Sequence, residues 1–266
     1  MKFFFLTALV STSIFAAAET NDFQKMEVPK QGISFYRPNY GIIGADPINE
    51  AEILFSYKFR FVDADSYDTW WGRPVNTLFF AYSQWMFWDF EQGSSPYPNN
   101  YMDSYFIPEF FWLWNDFFPE SEGARLDLQF GYQHESNGRD EEFERTWDRL
   151  NVEPTWIWGE TGDWQYVLGL KIWAPIHVGD QMNDISEYYG FGELKLKAGK
   201  HDGISTEVML RKGTKDWNGA VEVTASYPIR PMNIFLYGQV FYGYGENLLR
   251  YDRETFAYRL GLAISR

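Results

Sequence analysis

A histidine, a serine and an aspartate are spaced so that two neighbouring strands could bring them together. His134 and Ser136 stand near the end of one predicted strand, and Asp148 stands near the start of the next. Positions i and i+2 of a strand share a face, and cross-strand neighbours lie ~5 Å apart. Ser136 and Asp148 could therefore bond the two imidazole nitrogens of His134, as nucleophile and orienting acid do around the base of a serine hydrolase. A His-x-Ser pair on a strand is also commonly incidental, so these residues alone leave both interpretations open.

The strand that carries His134 and Ser136 alternates between apolar and polar residues. Both belong to the apolar parity, and Asp148 belongs to the apolar parity of the next strand. All three are therefore predicted on the apolar face, which in a membrane barrel is the lipid-facing wall. Cationic side chains on a lipid face cost ~2–4 kcal/mol at the membrane midplane but ~0–1 near the interface, which places the group at the rim. The apolar positions are Leu126, Leu128, Phe130 and Tyr132, and the polar positions are Arg125, Asp127, Gln129 and Gln133.

The same period of two recurs along the chain between turn-rich breaks. It is clearest in the runs Glu52–Val62, Glu193–Gly199, Val221–Tyr227 and Asn233–Tyr244. About twelve segments reach the ~9–11 residues of a tilted membrane strand. A mean hydropathy of −0.40 with 20% aromatic residues fits a wall that faces lipid outside and a polar interior. We therefore predict an all-β fold, a transmembrane antiparallel β-barrel of about twelve strands, closed so that no strand edge is left in lipid. A soluble all-β domain is the alternative.

The amino terminus and the composition limit the remaining possibilities. A lysine, an apolar run from Phe3 to Phe15 and three alanines are typical of a secretory signal peptide. We predict a signal peptide at 1–18, a polar N-terminal arm at 19–31 and one barrel domain at 32–266. The chain has no cysteine, which excludes disulfides and thiolate metal sites. A net charge of −14 argues against a nucleic-acid partner, and it suits divalent cations at the outer surface or simply keeps the chain soluble.

The residues around the serine resemble the outer-membrane phospholipase A family. The motif Tyr-x-His-x-Ser-Asn-Gly-Arg spans 132–139, and Trp147, Asp148 and Arg149 follow at the family's spacing. The resemblance covers most of the chain after the arm, and it implies a twelve-stranded barrel in the bacterial outer membrane with an active site at the outer-leaflet rim. Further likenesses lie at Ser94-Ser95-Pro96, Tyr101, Tyr227-Pro228 and Gln239–Glu246.

The resemblance also implies a reaction. It implies calcium-dependent hydrolysis of the sn-1 and sn-2 acyl esters of membrane phospholipids, with activation by reversible homodimerisation. Ser136 would be the nucleophile and His134 the general base. The backbone N–H of Gly138 would bind the oxyanion, as such donors do in serine hydrolases.

The chain departs from the family pattern at two positions. The family's third catalytic residue is asparagine, whereas Asp148 stands here; an aspartate still fixes the imidazole tautomer and also stabilises imidazolium, so activity is expected. The family's calcium ligands correspond to the carbonyl of Arg139, a hydroxyl whose position is Glu144 here, and a serine of the partner subunit matching Ser94. A carboxylate is a good hard-oxygen ligand for Ca²⁺, although Glu144 alone could equally be a solvated loop acid.

Two further function classes compete with a lipid esterase. A non-enzymatic porin or small-solute channel would work through the lumen and would be indifferent to Ser136. A soluble β-domain with a binding or structural role would need no detergent. Neither alternative explains why His134, Ser136 and Asp148 share the wall-facing parity.

Several other polar and aromatic residues receive weaker interpretations. Gln84 lies close to the position at which the family makes a subunit contact. His177 and His201 have no serine at matching spacing and are interpreted as loop or rim residues. Three aromatic residues beside Gln84 are interpreted as lipid girdle: Trp85, Phe87 and Trp88.

Overall fold

The computed structural model describes residues 32–46, 48–61, 78–89, 101–115, 124–139, 141–160 and 162–266. Within them, thirteen strands form one antiparallel sheet. The strands are β1 (Ile33–Phe35), β2 (Asn39–Asp46), β3 (Ile48–Arg60), β4 (Leu78–Asp89), β5 (Tyr101–Trp114), β6 (Ala124–Ser136), β7 (Thr146–Gly159), β8 (Trp164–Val178), β9 (Gly192–Lys200), β10 (Ser205–Lys212), β11 (Gly219–Ile229), β12 (Ile234–Gly243) and β13 (Thr255–Ser265). The connections hold the helix α1 (Ile185–Tyr189) and the 3₁₀ turns Glu141–Phe143 and Asp180–Met182. The predicted signal peptide and N-terminal arm lie outside the described residues, as does Ser94.

The strands close into a ring. Neighbours in the chain are neighbours in the sheet, β2 pairs with β13, and β3 pairs with β4. Strands β2 to β13 therefore form a closed antiparallel barrel of twelve strands, as predicted from the period of two. Closure pairs the backbone groups of every strand in the ring, which is the condition for a sheet that faces lipid. In the described part of the chain, no helix is long and apolar enough to cross a membrane.

The strand is interrupted between β1 and β2, where the chain turns into the lumen. β1 and β2 pair along the same edge of β3, and the chain bulges inward between them. In the bulge, Tyr36 donates a hydrogen bond to Glu109 at 3.3 Å and Arg37 forms an ion pair with the same carboxylate. The amide of Asn39 then bonds both the N–H and the carbonyl of Ser56, so the broken ladder keeps its partners.

Alternate residues of each strand face lipid and lumen, as the period of two requires. On β11, Val221 and Val223 are exposed on the outer wall, whereas Thr224 and Ser226 are buried inside. On β6, Phe130 is exposed and the flanking polar residues are buried. The predicted parity of β6 is therefore the parity that the structure has.

The aromatic residues of β4 occupy both faces. Trp88 is exposed on the outer wall, in agreement with a lipid girdle. Phe87 is fully buried, and the indole of Trp85 donates to Glu52 inside the barrel at 2.9 Å. The girdle interpretation is therefore wrong for Trp85 and Phe87, because the inner face of β4 is aromatic as well as the outer one.

The barrel interior is filled with side chains at the end where β6 leads into β7. The connection between β8 and β9, which includes α1, and the connection between β12 and β13 fold into this mouth and contribute Met182, Tyr189 and Leu248 to an aromatic cluster around Trp147 and Trp173. Below the cluster, Arg259 bridges the carboxylates of three buried glutamates: Glu50, Glu52 and Glu246. Packing of this kind favours a solid support for the wall over an open channel.

Candidate active site

Three adjacent strands bring the candidate catalytic residues into one row. His134 on β6 lies directly opposite Asp148 on β7, and Asp148 lies directly opposite His177 on β8. Ser136 follows His134 on the same face of β6, as its i+2 spacing requires. The row stands at the end of the strands, between the exposed wall residues Phe130 and Leu150 and the loop 137–145.

The serine, the histidine and the aspartate form a continuous hydrogen-bonded chain. The hydroxyl of Ser136 lies 2.9 Å from Nε2 of His134, and Nδ1 of His134 lies 2.7 Å from Oδ1 of Asp148. The His134 side chain is 33% exposed and the Asp148 side chain is 18% exposed. The first distance allows proton transfer from the hydroxyl to the imidazole. The second allows the carboxylate to fix the tautomer of the imidazole.

Asp148 has two further partners that the sequence alone did not reveal. The phenol of Tyr132 donates to Oδ1 at 2.7 Å, and Nδ1 of His177 lies 3.3 Å from Oδ2. Tyr132 was expected only as an apolar wall residue. His177 was expected as a loop or rim residue, and it lies at the rim end of β8, where a register shift between Asp148 and Arg149 sets its position opposite the aspartate.

A buried asparagine organises the loop that follows the serine. The side-chain oxygen of Asn137 accepts the backbone N–H of Arg145 at 2.9 Å and of Arg139 at 3.3 Å. Its amide nitrogen donates to the carbonyl of Phe143 at 2.9 Å and to Asp103 on β5 at 3.3 Å. Arg139 bonds the same aspartate through Nε at 3.2 Å. One side chain therefore ties both ends of the loop together and anchors the loop to β5.

Gly138 occupies a backbone conformation that favours glycine. Its φ is +62°, in the left-handed region, and the residue is exposed next to Ser136. A Cβ at this position would meet the ring of Phe106 at 3.6 Å, which is ordinary van der Waals contact. The glycine is therefore needed for its dihedral angle and not for space.

The inner faces of β6 and β7 support the row from below. Glu135 accepts the indole N–H of Trp147 at 3.1 Å and forms an ion pair with Arg149. The guanidinium of Arg149 lies 3.7 Å from the ring centroid of Trp147, in cation–π geometry. The motif residues that alternate with the candidate catalytic residues thus hold the two strands together.

The predicted calcium ligands are only partly described. Arg139 and Glu144 lie in the loop 137–145, and Glu144 is exposed while its carbonyl accepts the Arg145 guanidinium at 2.8 Å. In the described residues, no group of three or more histidine or acidic side chains could hold a metal ion. Gln84, near the family's subunit contact, is half-buried on β4 and donates to Ser104 at 3.1 Å.

A comparison with known families identifies the chain. The family model described as Phospholipase A1 matches residues 32–265, which includes every strand of the barrel. The chain belongs to the phospholipase A1 family. It is 31% identical to the phospholipase A1 of Escherichia coli K12 over 226 residues, covering 83% of this chain and 72% of the relative. Identity to the Salmonella typhimurium phospholipase A1 is also 31%, over 213 residues, 78% of this chain and 70% of the relative.

Solved structures show the same fold. The outer membrane phospholipase A of Escherichia coli aligns with a TM-score of 0.70 at 23% identity, covering 87% of this phospholipase and 93% of that chain. A Salmonella typhi outer membrane phospholipase, solved as a dimer with bound calcium, aligns with a TM-score of 0.70 at 24% identity, covering 93% and 95%. The predicted family and barrel are confirmed, and the chain is a phospholipase. The porin and soluble-domain alternatives no longer account for it.

Proposed function

We propose that this phospholipase cleaves the acyl esters of membrane phospholipids, at both the sn-1 and sn-2 positions, with a Ser136–His134–Asp148 triad. The observation that carries the proposal is the unbroken hydrogen-bonded chain on the outer face of the barrel wall. A phospholipid in the surrounding leaflet can lie against this face without entering the barrel. Its ester carbonyl, at the boundary between acyl chains and head groups, then reaches the rim where Ser136 stands.

Acylation begins when Oγ of Ser136 attacks the ester carbonyl carbon. The hydroxyl proton passes to Nε2 of His134, and Asp148 stabilises the resulting imidazolium through Nδ1. The carbonyl oxygen becomes an oxyanion, and the backbone N–H of Gly138 binds it. The tetrahedral intermediate collapses when His134 returns its proton to the leaving lysophospholipid alcohol, and the acyl group stays on Ser136.

Deacylation repeats the same steps with water. Nε2 of His134 takes a proton from water while the water oxygen attacks the acyl carbon. The second tetrahedral intermediate releases the fatty acid, and His134 returns the proton to Oγ of Ser136. The triad therefore ends in its starting state, with one ester bond replaced by an acid and an alcohol.

The loop 137–145 also offers the hard oxygen donors that calcium prefers. We assign to Ca²⁺ the carbonyl of Arg139, the carboxylate of Glu144 and, from a second copy of the chain, the hydroxyl of Ser94. The fit is supported by the chemistry of the donors and by the exposure of Glu144 on the loop that carries Gly138. Bound calcium would supply positive charge to oppose the charge that develops on the oxyanion.

A reversible homodimer in the outer membrane is the setting that best fits this site. The dimer with bound calcium described for the Salmonella typhi structure supports a calcium site completed between two copies. Export by the predicted signal peptide at 1–18 and insertion of the barrel would place the rim at the outer leaflet. The phospholipids of that membrane would then surround the barrel and also serve as its substrate.

The test is fatty-acid release by the mature chain refolded in detergent. We expect release with calcium, little with EDTA, and none from Ser136→Ala, whereas the lumen-facing control Ser226→Ala keeps the wild-type rate. A substrate with different chains at sn-1 and sn-2 should yield both fatty acids. Undiminished release by Ser136→Ala would exclude the proposed nucleophile.

A further inference from the structure

His177 shares the carboxylate of Asp148 with the catalytic histidine. It lies on β8 directly across from Asp148, one strand further from Ser136 than the aspartate. Its Nδ1 is 3.3 Å from Oδ2, while Nδ1 of His134 is 2.7 Å from Oδ1. Two imidazoles on separate strands therefore hold the two oxygens of one carboxylate.

The arrangement divides the acceptor capacity of Asp148. Oδ1 already accepts from Tyr132 and His134, and Oδ2 is the oxygen that faces His177. A carboxylate on a lipid-facing wall needs donors for both oxygens, because unpaired charge is costly away from water. The donors Tyr132 and His134 on β6 and the imidazole of His177 on β8 contact the carboxylate from its two neighbouring strands, so Oδ1 is held where His134 needs it.

We propose that His177 is a positioning residue of the catalytic triad, which orients Asp148 and moderates its charge. The inference rests on the Ser136–His134–Asp148 mechanism proposed above. His177 does not touch the reacting atoms; it acts through the aspartate.

The test compares His177→Ala and His177→Gln with the matched control His201→Ala. His201 is also exposed and beside an aspartate, but it lies in the turn between β9 and β10 at the opposite end of the barrel. Fatty-acid release is measured across substrate concentrations with calcium, and circular dichroism and heat-dependent gel migration confirm that each barrel is folded. His177→Ala should lower kcat about three- to tenfold, a loss of the size that one net hydrogen bond makes. KM should stay unchanged, because His177 acts through Asp148 and not on the substrate.

The glutamine variant tests whether a donor at this position is sufficient. Its amide can donate to Oδ2, so kcat should recover towards wild type. A wild-type kcat for His177→Ala would overturn the proposal, and so would equal losses of kcat in the alanine and glutamine variants. Ser136→Ala, assayed alongside, tests the triad itself: if it retains activity the mechanism fails, whatever His177 does.

Discussion

Replacing Asp148 by asparagine would separate the charge of the carboxylate from its geometry. In serine proteases the equivalent change lets the amide turn its NH₂ towards the histidine, which fixes the wrong tautomer and costs ~10⁴ in rate. Here Tyr132 donates to Oδ1, the same oxygen that His134 uses. An asparagine carbonyl in that position keeps both donors. A turned amide would instead place its NH₂ against two other donors, the N–H of His134 and the O–H of Tyr132. Tyr132 should therefore hold the amide in the productive orientation.

The expected loss is small because only the charge disappears. A hydrogen bond to a charged group contributes ~1.5–3 kcal/mol and a neutral one ~0.5–1.5 kcal/mol, a difference of about 1 kcal/mol. We expect Asp148→Asn to reduce fatty-acid release about five- to tenfold. Asp148→Ala removes the acceptor and should reduce release about 10³-fold or more.

The assay is fatty-acid release in mixed micelles with saturating calcium. In the double variant Tyr132→Phe/Asp148→Asn the amide is free to turn, so the loss should exceed the product of the two single losses. A loss of 10³-fold or more from Asp148→Asn alone would refute the reasoning about Tyr132.

The remaining predictions concern the loop, the metal and the interior. Gly138→Ala should lower release, because a left-handed φ of +62° costs an L-residue ~1–2 kcal/mol and disturbs the oxyanion donor; the control Gly162→Ala, with φ +90° in open space on a distant turn, should keep its activity. Glu144→Ala should raise the calcium concentration needed for half-maximal release and for dimer formation in sedimentation, whereas the exposed neighbour control Glu142→Ala should leave both unchanged. Arg259→Ala leaves Glu50 paired with Arg250 but removes the guanidinium from the buried carboxylates of Glu52 and Glu246. It should destabilise the barrel by about 3–5 kcal/mol, seen as earlier loss of the folded band on heating; unaltered stability would contradict the lumen ion pairs.

The sequence predicts the wall of the barrel better than its interior. Alternation along β6 predicted which side chains face lipid, because one parity there is apolar and the other polar. On β4 both parities are aromatic, so alternation could not tell that Trp85 and Phe87 point inward. The break at Tyr36 and Arg37 was also missed, because the bond that draws it inward is to Glu109, which is distant in sequence.

The residues of the candidate site were likewise predicted only in part. His134, Ser136 and Asp148 were predicted as one group because only one short loop separates their strands. His177 needed the register of a third strand, which a shift beside Asp148 alters by one residue. Such a shift leaves no signature in spacing. The hydrogen bonds of Asn137 depend likewise on the path of its loop, although its place in the motif could have drawn attention to it.

The seam between β2 and β13 has a consequence for biogenesis. The hairpin β6–β7, which carries the candidate triad, joins residues that are close in sequence and can form early. The seam instead joins residues as remote as Asn39 and Ser265. Contacts across so much chain form late, since the entropy of looping the intervening polypeptide must be overcome first. Assembly of the barrel should thus end with the pairing of β2 and β13, and hydrolysis of lipid should begin only after that seam has closed.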